Sequence, residues 1–200
     1  QTRAPAAAAL EAVRLISECA GLVPNFELVE AELKEKTRAY AAIIDGRRYV
    51  VYDGGEFDWN GAGPSWPCIT VLAHEIGHHL NGHLLDGGSR PKTELEADQF
   101  AGFSVSRLGG SLEDALAVFR TFSFWGSKTH PPRDDRLDAA EAGWRHAEAL
   151  RLRSPLLCNS EWLGDALRID GRSCRMARVC DGRTAAHRLA CERAGTWYWQ

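Results

Sequence analysis

The sequence lacks the features that mark three common classes of protein. No run of about eighteen apolar residues is present, so we expect no transmembrane segment. Basic residues are not in excess, because 24 lysines and arginines stand against 27 aspartates and glutamates, and a net charge of -3 excludes a basic surface for nucleic acid. The cysteines include no Cys-x2-Cys or Cys-x4-Cys pair, which disfavours a zinc site made of cysteine ligands.

What the chain does contain is typical of a globular protein of one domain with a small appendage. Its 200 residues are 44% hydrophobic, which is enough to bury a core. Four of the six cysteines lie close to the C-terminus, and this clustering favours disulfides formed in an oxidising compartment. The chain begins at Gln1 without methionine, as after removal of an export signal, so we expect an exported protein, periplasmic or secreted.

Hydrophobic periodicity predicts an α+β fold with the strands near the N-terminus. Residues 4–22 have the three-residue apolar spacing of an amphipathic helix. Two runs rich in aromatic and β-branched residues, 38–44 and 47–52, are joined by Asp45-Gly46, and this predicts a hairpin in a small antiparallel sheet. The edge of such a sheet either holds an extended peptide or serves only the core. Helical patterns follow over 68–85, 92–108, 111–122 and 131–153.

The sequence His-Glu-Ile-Gly-His at 74–78 lies in the first of these later helical patterns. Histidines four residues apart lie about 40° apart around a helix, so His74 and His78 can bind one metal ion. Glu75 faces the same space and can accept the proton of an attacking water. The motif therefore predicts a zinc-dependent hydrolase, the alternative being two histidines exposed on an ordinary helix.

A third metal ligand is expected from the acidic cluster at 94–98, at the start of the next helix. Glu94 and Asp98 are four residues apart and share a face, so one can bind zinc while the other accepts a hydrogen bond from a ligand histidine. We favour Glu94 as the ligand and Asp98 as the supporting carboxylate. Glu96 as the ligand is the alternative.

These motifs recur in one known group of enzymes. The matching stretches, within about residues 20–153, are His-Glu-Ile-Gly-His with Asn-Gly-His at 81–83, the cluster at 94–98, and Thr-His-Pro-Pro at 129–132 followed by Arg136. They resemble the zinc metallopeptidases of the HtpX type, gluzincins that include the CAAX prenyl endopeptidases and the periplasmic protease-chaperone BepA. The resemblance implies a gluzincin-type zincin fold, with the sheet followed by a helical bundle that carries the motif. It also implies one zinc ion bound by His74, His78 and Glu94, with Glu75 as general base and Asp98 orienting a ligand histidine.

Several other side chains near these motifs have open roles. The resemblance implies that His130 lies over the metal, as a reversible fourth ligand or as a polar group facing the reaction; without it, His130 would only begin a helix. Arg136 is a candidate for holding substrate carbonyls. The slightly favoured alternative is an ion pair of Arg136 with Asp134 or Asp138. His79 and His83 lie on a face turned about 100° from His78, where we expect surface or supporting roles.

The C-terminal residues form a cysteine-rich extension with its own hairpin. With a four-residue loop at 181–184, Cys180 faces Ala185 and Cys174 faces Cys191 across the strands. Such an extension braces the core, covers the cleft or binds envelope material, and we favour the brace. The expected disulfides are Cys174–Cys191, Cys158–Cys180 and Cys19–Cys68.

We therefore predict an exported zinc endopeptidase, with a metallopeptidase domain at 1–153 and a small disulfide-rich β extension at 154–200. Its substrates are expected to be proteins or peptides of the cell envelope or the extracellular space. One alternative is a protease-like chaperone or envelope-assembly factor, working with an envelope protein partner, whose zinc site is latent or weakly active. Another is a purely structural zinc ion with four protein ligands.

Overall fold

We analysed a computed structural model of the chain. It describes the backbone of residues 2–33, 37–57, 64–85, 91–153, 161–163, 166–169, 172–180 and 185–191, and side chains within these ranges up to residue 151. The chain forms two compact units, Gln1–Glu148 and Ala149–Gln200. The assignment of separate roles to 1–153 and 154–200 stays a prediction.

The first unit contains a four-stranded sheet in the order β1-β2-β4-β3. The strands are β1 Thr2–Arg3, β2 Glu27–Ala31, β3 Ala39–Ile44 and β4 Arg47–Tyr52. The predicted β3–β4 hairpin is confirmed: Ile44 pairs with Arg47 across a two-residue turn in which Asp45 has φ 52° and Gly46 has φ 75°. Positive φ at both turn residues matches the twist of the two strands, which is why an Asp-Gly pair occurs there.

The prediction that this sheet is antiparallel is wrong, because β2 and β4 run parallel. After β2 the chain forms β3 at the edge of the sheet, one strand position away from β2. The next strand, β4, then fills the position between β2 and β3. The seven residues 32–38 between β2 and β3 are long enough to pass over one strand. The sheet is therefore mixed, and β3 is left as an edge strand.

The helices follow the predicted order, so the α+β class is confirmed. Ser111 begins the third helix of the predicted later set with a capping box, in which its Oγ accepts from the Asp114 N–H and the Asp114 carboxylate accepts from the Ser111 N–H. None of the helices within the described ranges combines the length and apolar composition that a bilayer span requires. The helices are α1 Ala7–Cys19, α2 Trp66–Leu80, α3 Pro91–Arg107, α4 Leu112–Ala117, a 3-10 helix Phe119–Thr121, and α5 Arg133–Arg153.

The core of the first unit is built around α2, which packs against α1, α3, α4 and the sheet. Leu72, Ala73 and Ile76 on this helix are almost completely buried, in one hydrophobic cluster with Val50 and Tyr52 from β4. This apolar stripe fixes the rotation of α2 about its axis. The histidines beside the stripe are therefore directed toward α3.

Two glycines allow α3 and α5 to pack unusually closely. A Cβ added at Gly102 would collide with the backbone oxygen of Ala140, and one added at Gly143 would collide with that of Gln99. Helices that approach with backbone against backbone need small residues at the crossing, because any side chain would push the axes apart. This close approach brings the first turns of α5 against α3.

The predicted Cys19–Cys68 disulfide is not formed. Cys19 is a free thiol whose Sγ donates to the Ile16 carbonyl at 3.1 Å, while Cys68 Sγ lies 2.9 Å from Ser65 Oγ. Cys19 interacts instead with Ser104 and Arg107 on α3. Sequence parity suggested the pairing but carried no information on these directions.

The second unit contains a four-stranded antiparallel sheet in the order β5-β6-β7-β8. Its strands are Glu161–Leu163, Ala166–Ile169, Arg172–Cys180 and Ala185–Cys191. The predicted register is confirmed, because Cys180 pairs with Ala185 and Cys174 with Cys191. The Cys174–Cys191 disulfide stays a prediction, and Cys158 lies outside the described residues.

We expect Gly102→Ala to lower the free energy of unfolding by about 1–3 kcal/mol, because the added methyl group overpacks the α3–α5 crossing. Intrinsic helix propensity alone predicts the opposite sign, a gain of about 1 kcal/mol. Chemical denaturation of the two proteins measures the difference. Glu141→Ala on the exposed side of α5 is the control, with an expected change of about 0.5 kcal/mol or less. A stabilised Gly102→Ala protein would contradict the close approach.

Candidate metal centre

The motif helix α2 places two imidazole nitrogens against each other. His74 and His78 lie one turn apart, and their Nε2 atoms are 3.1 Å from each other. The rings meet edge to face with centroids 4.7 Å apart. Both side chains are largely buried. The helix therefore supplies two converging donors on one face, as the i, i+4 spacing predicts.

The start of α3 adds a carboxylate to this pair. Glu94 Oε2 lies 3.4 Å from His74 Nε2, and Glu94 Oε1 lies 3.5 Å from His78 Nε2. Among the described residues, these three side chains form a group whose ligand atoms all lie within 4.8 Å of one another. The three residues could hold a metal ion.

Hydrogen-bonding demands support this interpretation. His78 Nδ1 is 2.9 Å from His83 Nδ1, and His74 Nδ1 makes an ion-pair contact of 2.7 Å with Asp98 Oδ1 rather than a linear hydrogen bond. With protons on both Nδ1 atoms, the two Nε2 lone pairs point at each other beside a carboxylate. That arrangement is repulsive unless a proton or a cation lies between the donors. Two imidazoles and a carboxylate are a donor set suited to zinc and similar divalent ions.

Arg136 at the start of α5 holds the carboxylate that faces His74. Its Nε and Nη2 each donate to one oxygen of Asp98 at 2.7 Å, and Asp98 is completely buried. The guanidinium also lies over the Phe122 ring, 4.5 Å from its centroid. The predicted pairing of Arg136 with Asp134 or Asp138 is therefore wrong. Both nitrogens that bond to Asp98 hold this carboxylate in place. The close α3–α5 crossing accounts for the difference, since it brings Arg136 within reach of a residue far away in sequence.

Two histidines assigned to surface or supporting roles are both buried. His83 contacts His78 and, through Nε2, Glu96 Oε2 at 2.8 Å. His79 packs against Phe26, and its Nε2 is 2.8 Å from the Tyr49 carbonyl oxygen. The surface alternative is thus wrong for both. The sequence did contain a signal for His83, because the preceding Asn-Gly is a helix-terminating pair that can fold the chain back.

The pKa values of the two candidate ligand histidines move in opposite directions. Burial alone would lower the pKa of His74, but the Asp98 and Glu94 carboxylates raise it to about 10. Burial and the neighbouring His74 lower the pKa of His78 to about 4. Burial opposes ionisation of Glu94 as well, yet His74 holds the pKa of that carboxyl below its usual range. Near neutral pH and without a metal, His74 is therefore protonated on both ring nitrogens, whereas His78 is neutral.

Glu75 points into a cleft of about 590 Å³ that borders the donor set. Its side chain is buried, and burial raises its pKa against the opposing effect of His74. The backbone N–H of Ala41 on β3 hydrogen-bonds to it. A carboxylate with a raised pKa in a cleft can exchange a proton with a reacting group. The other lining residues include Thr70, Val71, Val118, Phe119, Phe122 and His130.

His130 lies at the rim of this cleft. Its Nε2 is 3.7 Å from Glu94 Oε2, and its Nδ1 is 2.9 Å from Thr129 Oγ1. The 126–130 segment is held by Ser127, whose N–H donates to the His130 carbonyl at 2.7 Å and whose Oγ accepts from the His130 N–H at 3.0 Å. His130 is therefore near the candidate metal-binding group but outside it, with 53% of its side chain exposed.

Replacing Arg136 by Met tests the buried ion pair. We expect the free energy of unfolding to fall by about 3 kcal/mol or more, because the substitution leaves Asp98 buried without its main partner. Arg145→Met removes an exposed i, i+4 pair with Glu141 and is expected to cost about 1 kcal/mol or less. Urea denaturation of the metal-free proteins gives both values. Equal losses in the two variants would refute the special role of Arg136.

The pKa values also predict how metal affinity depends on pH. Between about pH 5 and about pH 6.5, His74 holds a proton that the metal must displace, whereas His78 is already neutral. The zinc affinity should therefore rise about tenfold per pH unit over this range. Two ordinary histidines with pKa values of about 6.5 would approach a hundredfold rise per unit at the acidic end. Competition with a chromophoric chelator at several pH values distinguishes these slopes.

Comparison with known proteins adds no information on this site. No protein-family model matches the chain, and neither the curated proteins nor the solved structures contain a match. The features of the chain that bear on its function are the arrangement of His74, His78, Glu94 and Glu75 and the cleft beside them.

Proposed function

We propose that this protein is a zinc-dependent endopeptidase. The observation that carries the proposal is the convergence of His74, His78 and Glu94 beside the buried carboxylate of Glu75, in a cleft open to solvent. A zinc ion held by this set would act as a Lewis acid toward a peptide carbonyl and an attacking water. Within the described part of the chain the set has three protein donors rather than four, which favours a catalytic over a structural role for such an ion.

Glu75 is the general base in this proposal. Its carboxylate lines the cleft next to His74, so it is within reach of a water directed at a bound substrate. Its pKa, raised by burial, makes it a better proton acceptor than an exposed glutamate. After accepting the proton it can transfer it to the departing amine, which completes hydrolysis of the peptide bond.

The edge strand β3 is suited to hold the substrate backbone. Alternate residues of β3 bond to β4, as shown by the Arg38 carbonyl accepting from the Asp53 N–H at 2.8 Å. The backbone groups of Ala39, Ala41 and Ile43 therefore face the other side. No other described strand pairs with this side of β3, and because the Ala41 N–H bonds to Glu75, this side runs past the proposed base. An extended peptide added to this edge would pass the metal donors.

The cleft favours apolar substrate side chains, because much of its lining is apolar. Val71, Val118, Phe119 and Phe122 line it, while His130 stands at its rim. His130 Nε2 is directed at the Glu94 side of the metal donors, so we assign it to polar contact with the reacting carbonyl. Arg136 supports Asp98 in this proposal and leaves substrate contact to these other residues.

The proposal places the chain with the gluzincins of the HtpX type that its motifs resemble. Glu94 on a second helix supplies the third ligand, and Asp98 supports a ligand histidine, as that resemblance implies. The clustered cysteines favour an exported protein acting on envelope or extracellular proteins.

Glu75→Gln is the direct test. The change keeps the size of the side chain but removes its basicity, so peptide hydrolysis should fall by about 100-fold or more while zinc content stays at one ion per chain. A degenerate peptide library analysed by mass spectrometry, with and without chelator, reports activity and preferred residues together. Glu141→Gln on α5 is the matched control and should retain activity.

The outcomes separate this proposal from its main alternative. Undiminished hydrolysis by fully zinc-loaded Glu75→Gln would exclude Glu75 as the base. A wild-type protein that binds zinc but cleaves no peptide, together with a Glu75→Gln protein that complements a deletion in cells, would indicate a chaperone or assembly factor instead.

A further inference from the structure

The end of α2 folds back so that a third histidine rests on a metal-binding one. Asn81 caps the helix, and Gly82 adopts φ 71°, a conformation that favours glycine. The His83 N–H then donates to the His78 carbonyl at 3.1 Å, and the Gly82 N–H points to the His79 carbonyl at 3.4 Å. These two bonds form a Schellman motif, which returns the chain over the last turn of the helix.

The returned side chain joins a continuous series of hydrogen bonds. His83 Nδ1 lies 2.9 Å from His78 Nδ1, and His83 Nε2 lies 2.8 Å from Glu96 Oε2. An ionised carboxylate can only accept, so His83 donates to it from Nε2. The metal ion of the proposed site would need the Nε2 lone pair of His78, so His78 carries its proton on Nδ1 and donates it to Nδ1 of His83. The Nε2 lone pair of His78 is thereby left facing His74 and Glu94.

We propose that Glu96, acting through His83, positions the metal-binding nitrogen of His78. The carboxylate fixes the tautomer of His83, and His83 in turn fixes the tautomer and ring orientation of His78. The proposal rests on the metal centre proposed above and adds two residues to it. Neither residue touches the reacting atoms, so both are positioning residues. Partners of this kind commonly set how tightly a ligand histidine holds its metal.

The two ligand histidines are supported in different ways. The Nδ1 atom of His74 faces Asp98, a fully buried carboxylate held by Arg136. The Nδ1 atom of His78 reaches a carboxylate only through the His83 ring, and the Glu96 side chain at the far end is 39% exposed. Because water can partly replace an exposed carboxylate, loss of Glu96 should weaken the metal site less than loss of His83.

Zinc affinity of the full chain, measured by competition with a chromophoric chelator, tests the proposal. We expect His83→Phe to bind zinc about 10- to 100-fold more weakly and Glu96→Ala about tenfold more weakly. His83→Gln should recover most of the affinity, because its amide oxygen can accept from His78 while its amide nitrogen donates to Glu96.

Two control variants separate this role from general packing. His79→Phe alters an equally buried histidine of the same helix whose Nε2 faces the Tyr49 carbonyl instead. Glu141→Ala removes a carboxylate of similar exposure, 36%, from α5. Both should bind zinc as the wild type does. A loss in His79→Phe equal to that in His83→Phe would overturn the proposal.

A second readout is independent of metal and of activity. In the metal-free protein, nitrogen-15 NMR should find a proton on His83 Nε2 and a coupling across the hydrogen bond between His83 Nδ1 and His78 Nδ1. Glu96→Ala should populate the other His83 tautomer and weaken that coupling. Glu96 is half-exposed, so this variant decides the matter even if His83→Phe does not fold.

Failure of this proposal is distinguishable from failure of the proposed function. The positioning role is contradicted if the His83 tautomer is unchanged in Glu96→Ala, or if Glu96→Ala and His83→Phe both bind zinc within about twofold of the wild-type affinity. Either result leaves the endopeptidase proposal intact. A wild-type protein that shows the expected tautomer and zinc affinities but no hydrolysis contradicts the endopeptidase proposal alone.

Discussion

The buried guanidinium of Arg136 is the contact on which the rest of the site depends. It joins α5 to α3 through two bonds to Asp98, and Asp98 in turn faces His74 on α2. A fully buried carboxylate is tolerated only when its charge is met, and the planar fork of arginine meets both oxygens at once. The crossing at Gly102 and Gly143 brings α5 close enough for this contact. Helix packing and ligand orientation are therefore consequences of one arrangement.

Without a metal, the charges in the site balance only when one of its side chains holds an extra proton. Asp98 and Glu94 are negative, and Arg136 supplies one positive charge. His74, which its raised pKa keeps protonated, supplies the other. A divalent cation held by these residues would replace that proton, and its charge would be met by the same carboxylates. The high pKa of His74 and the capacity to hold a metal thus have one origin, an excess of buried negative charge around two imidazoles.

Local patterns in the sequence predicted local structure well. The i, i+4 spacing of His74 and His78 and the Asp-Gly turn of the hairpin each depend on residues a few positions apart. The sheet order was not accessible in this way, because alternation shows which face of a strand is buried but not which strand lies beside it. The partner of Arg136 was missed for the same reason, since Asp98 lies 38 positions away while three aspartates lie within two positions of the arginine.

His83 shows where a local pattern stops being valid. A helical projection places it about 100° away from His78, but that projection assumes that the helix continues. The helix ends at Leu80, and the left-handed residue at Gly82 reverses the chain, so the projected angle no longer applies to His83. The group that contacts His78 Nδ1, His83, is consequently only five residues away in sequence, and α3 adds Glu96 to it. The group that contacts His74 Nδ1, Asp98, needs both α3 and α5, because Arg136 holds it. A metal-binding motif followed by Asn-Gly-His therefore carries more information than the motif alone, because the turn it predicts brings a third imidazole back to the second ligand.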